Sequence, residues 1–325
     1  MDFCRRKLLR LAAAALAAPN LMVDAAADSY PARPVRLIVT TGPGGQGDTI
    51  ARLLAQKLTV QLGQSFYVEN IGGAGGNIAH GIAARSAPDG YTLIAAGGSL
   101  VINPSLYPQI PYDPHKDFAP ISLVCSSPHV LAVHPSLPAQ TVSALAALAR
   151  ATPGKFSYAS AGAGTPAHLA GELFKLALAL DIAHVPFKGG GPGISAVVAG
   201  HVPIAISALP TALPYVKAGN VRALALISGQ RSSVLPEAPT MAEAGAPLEA
   251  DIVTGLLTRA GTPQPIVDLL HQAVVGALAE TEFRQRLVAL GFEPVGSTPD
   301  AFMRWIEVET AKWAKVVRAA KIAIQ

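Results

Sequence analysis

Val39-Thr-Thr-Gly-Pro-Gly-Gly-Gln-Gly-Asp-Thr49 leaves an apolar run, passes four glycines and enters a helical pattern. The run before it, Val35-Arg-Leu-Ile-Val39, has the composition of a buried strand, and residues 49–62 carry helical spacing. A strand entering a helix through a glycine turn is the repeating unit of an open parallel sheet, whose ligands sit beyond the carboxyl ends of the strands. Tyr158-Ala-Ser-Ala-Gly-Ala-Gly-Thr-Pro166 runs in the same order further along the chain.

Phe66–Glu69 and Tyr91–Ala96 give further strands, with Gly72–Gly76 opening a helix through Arg85. Phe118–Val133 is extended and interrupted by Pro120 and Pro128, as expected of a crossing between lobes. A second strand–helix series follows: helix 142–151, strand 156–159, helix 166–180, strand 183–187, helix 193–199, strand 202–207 and a return strand 221–227. Residues 265–291 and 298–322 have helical spacing. The expected fold is α/β and two-lobed, of the periplasmic binding protein type, with a parallel-rich sheet in each lobe and C-terminal helices. The divisions fall at 1–27 for a leader, 28–124 with 228–325 for the first lobe, and 125–227 for the second.

The leader orders its residues as an export signal does. Arg5-Arg6-Lys7 is basic, Leu8–Ala18 is a short apolar run, and Ala25-Ala26-Ala27 supplies small residues for cleavage. The apolar run is too short to span a bilayer. Either general secretion or twin-arginine export fits it. Of 25 basic and 21 acidic residues, the leader holds Arg5, Arg6, Lys7 and Arg10 against Asp2 and Asp24. That leaves 21 against 19, with no basic stripe, which argues against nucleic acid as a partner. Cys125 would be the one cysteine left after Cys4 is removed, so no internal disulfide and no cysteine metal cluster is expected.

No G-x-S-x-G, H-E-x-x-H or G-x-x-x-x-G-K-[ST] pattern occurs. Gly162-Ala-Gly-Thr-Pro-Ala167 fits G-x-G-x-x-A, with Asp181 at a suitable distance. A dinucleotide site needs that acid at the end of the second strand, and Asp181 precedes its strand. No cofactor or metal is expected. The turns at 42–48 and 160–165 instead place unpaired helix N–H groups where an anion could sit, although any α/β connection looks the same locally. Asp48 serves either a ligand or the first helix as its cap, and Thr165-Pro166 is a cap followed by a first-turn proline. Thr41, Ser99 and Ser207 are polar residues after strands, and Lys188 would add positive potential. His168 and Glu172 share a helix face, more in keeping with structure than with metal binding.

Several stretches resemble the Bug family, the substrate-binding proteins of tripartite tricarboxylate transporters. They include Tyr30-Pro-Ala-Arg-Pro-Val-Arg-Leu-Ile-Val39, Gly72-Gly-Ala-Gly-Gly-Asn77, Pro88-Asp-Gly-Tyr-Thr-Leu93 and Lys116-Asp-Phe-Ala-Pro120. Val185-Pro-Phe-Lys-Gly-Gly190 and Pro239-Thr-Met-Ala-Glu-Ala-Gly245 continue the match. The resemblance implies a two-lobed periplasmic receptor that closes on a small carboxylate and serves membrane permease subunits; the paired strand–helix series and the proline-bearing crossing lead us to expect a monomer. By motif it places Gly44, Gly45, Asp48, Ser160, Gly162, Gly164 and Thr165 in the cleft. The chain departs from the family pattern at Thr40–Gly45, which replaces Pro-Phe-x-Pro-Gly-Gly, at Val253, which replaces Trp, and at Leu257–Ala260. A secreted hydrolase-like enzyme and a sensor feeding a membrane kinase are the alternative functions.

Overall fold

The computed structural model describes residues 30–322, so the leader expected over 1–27 lies outside the described residues. Its first sheet contains β1 (Val35–Val39), β2 (Phe66–Asn70), β3 (Thr92–Gly97), β4 (Phe118–Ser127), β10 (Ile252–Arg259) and β11 (Glu293–Pro294), ordered β11-β4-β10-β3-β1-β2. The second contains β5 (His129–Val133), β6 (Phe156–Ser160), β7 (Ile182–Pro186), β8 (Ile204–Ala208) and β9 (Arg222–Ile227), ordered β7-β6-β8-β5-β9. Helices α1 (Gln46–Leu62), α2 (Asn77–Ala84), α3 (Gly98–Leu106), α8 (Gln264–Ala279), α9 (Thr281–Ala289) and α10 (Pro299–Ala319) accompany the first sheet. The second carries α4 (Val142–Ala151), α5 (Pro166–Leu178), α6 (Gly190–Val198) and α7 (Leu209–Lys217).

The α/β class holds, but both sheets are mixed rather than parallel-rich. β1 is parallel to β2 and β3, and β6 to β7 and β8. The strands that join the lobes run the other way: β10 lies antiparallel between β3 and β4, and β5 antiparallel between β8 and β9. β5 reads His-Val-Leu-Ala-Val and is buried throughout, as a strand covered on both faces must be. Pro128 alone separates β4 from β5. Pro120 does not interrupt β4: it lies beyond β11, which pairs only with Ser126 and Cys125, so β4 has one strand neighbour there. On the return path, Leu226 bonds Pro239 and Met241, and the chain re-enters the first sheet at Ile252.

One apolar cluster runs through both lobes, from Ile38 and Ile94 to Leu131 and Ile204. Phe302 of α10 is fully buried in it. A Cβ at Gly255 would stand 2.1 Å from the Phe302 ring, so only glycine lets α10 lie on β10. No helix of the described residues is long and apolar enough to cross a membrane.

Candidate functional site

The β1–α1 and β6–α5 turns face one cavity of about 700 Å³, walled by residues of both sheets. Five helices begin at this wall: α1 with Gln46 and Gly47, α3 with Gly98 and Ser99, α5 with Pro166 and Ala167, α6 with Gly190 and Gly191, and α7 with Thr211. The first N–H groups of a helix have no internal partner, and the helix dipole adds partial positive charge there. The lining contains no Lys, Arg, Asp or Glu. Polarity in the wall therefore comes from main-chain groups, hydroxyls, amides and one imidazole.

Local sequence explains the geometry. Gly44 has φ +81°, a conformation that costs other residues, and Gly45 caps α1 without help from a side chain. Gly97 ends β3 where a Cβ would lie 2.0 Å from the Val253 carbonyl oxygen, so glycine alone lets β10 close the floor. Thr165 accepts from the His168 N–H at 3.4 Å, with Pro166 in the first turn, the arrangement the Thr-Pro pair predicts. Pro104 in α3 has no N–H to offer, and the Tyr112 hydroxyl donates to the Leu100 carbonyl at 3.4 Å in its stead.

Of the eleven expected contact residues, Thr41, Gly44, Gly45, Ser99, Gly164, Thr165 and Ser207 lie in the wall. Asp48, Ser160, Gly162 and Lys188 do not. Asp48 is buried behind the first turn, third in the helix rather than its cap. It accepts from Gly44 N at 2.9 Å, Arg52 Nε at 3.0 Å and Asn70 Nδ2 at 2.9 Å. Burial alone would raise its pKa, but these donors hold it below the usual carboxylate value. Ser160 is buried with its Oγ 2.7 Å from His184 Nε2, and it accepts from the Gly162 N–H. Lys188 is exposed.

Behind the second turn, His168 and His184 stack with ring centroids 3.8 Å apart. His168 Nδ1 accepts from the Gly164 N–H at 3.0 Å. Burial, with His168 and Lys175 adding repulsion, pushes His184 down to about 3. Glu172 accepts from Tyr158 at 2.8 Å and from Lys175 at 2.9 Å, so the His168–Glu172 face is a structural network. Among the described residues no group of three or more potential ligands could hold a metal ion.

Sequence reasoning missed Asn103, Tyr107, His129, Thr211, Val253 and the pair Gly190-Gly191 as wall residues. The glycine pair had a signal: Gly189-Gly190-Gly191 follows a strand and opens a helix, as the two recognised turns do.

A cavity at the carboxyl ends of strands from two α/β sheets, rimmed by helix starts, is the site architecture of a two-lobed solute-binding protein. Residues 50–322 match the model of the tripartite tricarboxylate transporter family receptor, and the chain belongs to that family of receptors, which are not enzymes. It is 40% identical over 315 residues to protein BugT of Bordetella pertussis, covering 96% of this chain and 97% of that one. Two solved structures are also close. Rpa4515 of R. palustris with adipate shares 36% identity at TM-score 0.82, over 91% of this chain and 100% of that one. MatC of Rhodopseudomonas palustris with bound malate shares 34% at TM-score 0.78, over 89% and 100%.

Proposed function

We propose that this receptor captures a small organic carboxylate in the cavity and presents it to the permease subunits of a tripartite transporter. Export to the periplasm behind a cleaved leader belongs to the same reading. So does closure of two lobes that divide at Pro128 and again within residues 228–251. The observation that carries the reading is five helix starts around a wall without charged side chains. That surface suits an anion and leaves a cation without a counter-charge. Gln46 Nε2, at the first of these starts, is buried without a hydrogen-bond partner and is available as a further donor. Carboxylates held by two similar proteins, adipate and malate, support the class.

Thermal denaturation with mono-, di- and tricarboxylates tests it. A ligand at a hundred times its dissociation constant adds roughly 2.7 kcal/mol of stability. At least one carboxylate should raise the midpoint by several degrees. If a neutral sugar does so and no carboxylate does, the reading is wrong.

A further inference from the structure

His129 stands where the two connections between the sheets meet. It opens β5 directly after Pro128, and its Nδ1 lies 2.5 Å from the carbonyl oxygen of Ala250, two residues before β10. A carbonyl oxygen only accepts, so Nδ1 carries the proton of this bond. Burial, partly offset by the bond to Ala250, pushes the imidazole down to about 4, so the ring is neutral at physiological pH. Its one proton is thereby committed, and Nε2 is a bare acceptor. Nε2 has no hydrogen-bond partner among the described residues, and His129 forms part of the cavity wall.

The other polar side chains of the wall are hydroxyls and amides, which can turn a donor towards a carboxylate. His129 cannot. A carboxylate oxygen set against Nε2 would bring two lone pairs face to face. The position asks for a donor, and the absence of Asp and Glu from the wall leaves an ammonium group without a counter-charge. A hydroxyl meets both conditions.

We infer that His129 is a specificity residue whose Nε2 accepts a hydrogen bond from a ligand hydroxyl, so that the receptor selects hydroxycarboxylates over their unsubstituted counterparts. This rests on the carboxylate reading above and narrows it. A site built to bond a hydroxyl discriminates strongly against the analogue lacking it, because its own polar group is then left unpaired.

The test is calorimetric titration of the exported protein with two matched pairs, malate against succinate and 3-hydroxybutyrate against butyrate. The hydroxy acid should bind at least about tenfold tighter in one pair or both. In His129→Leu that ratio should fall below about threefold. Should the variant misfold, ¹⁵N-histidine spectra of the wild type carry the same question. Nε2 should be unprotonated when free and shift on adding the hydroxy acid but not its partner. Equal binding within both pairs, a ratio that survives in His129→Leu, or a protonated Nε2 overturns the assignment and spares the receptor reading. Binding of adipate with no binding by either hydroxy acid does the same. Failure of every carboxylate to bind sinks the receptor reading and this inference with it.

Discussion

The glycine turns at 42–48 and 160–165 look alike in sequence and lie in one wall, yet opposite chemistry supports them. Behind the first is a buried carboxylate, Asp48, locked by Arg52, Asn70 and the Gly44 N–H. Behind the second are two stacked neutral imidazoles, one taking the Gly164 N–H and the other bonded to Ser160. The starts of the helices differ as well. α1 opens on a glycine cap and leaves the N–H groups of Gln46 and Gly47 without helical partners. α5 opens on Thr165, whose hydroxyl donates to Gly162 and takes the His168 N–H, and Pro166 has no N–H. The first turn thus offers more of the donors, and its support does not titrate near neutrality.

The largest expected effect follows from that asymmetry. Asp48→Ala strands the Gly44 N–H and removes the anionic acceptor shared by Arg52 and Asn70, and should cost about 3 kcal/mol in urea denaturation, with at least a tenfold loss of affinity for the best carboxylate. His168→Leu strands only the Gly164 N–H and should cost about 1 kcal/mol. Equal losses from the two variants would dissolve the contrast.

A smaller effect separates the turns by pH. An unfolded histidine titrates near 6.5. Folded His184, behind the second turn, is held at about 3 by burial above all, with His168 and Lys175 adding repulsion. Between those values the unfolded chain binds the extra proton, so stability is present above about pH 6.5 and falls as the pH drops towards about 3. Asp48, held low, keeps its charge through most of that range. Hydrogen exchange at pH 7 and 5, corrected for intrinsic rates, should show residues 158–170 losing protection before residues 40–50. The reverse order would refute it.

The smallest effect is that of salt. With no charged side chain in the wall and Lys188 exposed away from it, both Lys188→Met and a rise from 0.05 to 0.5 M NaCl should change affinity less than about threefold. A tenfold loss in either would restore an ion pair to the mechanism.

The strand–turn–helix units were legible because buried strands and glycine turns leave local signals; β1, β6 and α4 stand close to where their residues place them. β10 was not legible. Ile252–Arg259 has no alternation, and its role depends on Gly255 meeting Phe302 and Gly97 meeting Val253, contacts made across the chain. α3 and α7 contain Pro104 and Pro214, which argue against a helix until the fold supplies substitute donors such as Tyr112. Asn103 and Thr211 lie on those helices, so the part of the wall they form was hidden with them. Asp48 and Ser160 were singled out for the right turns but stand behind them, since sequence carries polarity without direction.

The main-chain origin of the grip also bears on ligand choice. Donors that belong to the backbone cannot be erased by exchanging one side chain for another, so exchanges at Thr40, Asn103 or Val253 would leave the N–H groups of the helix starts in the wall. Under the proposed carboxylate reading, ligand choice and ligand grip would then be separable: side chains would tune the first while the fold itself keeps the second.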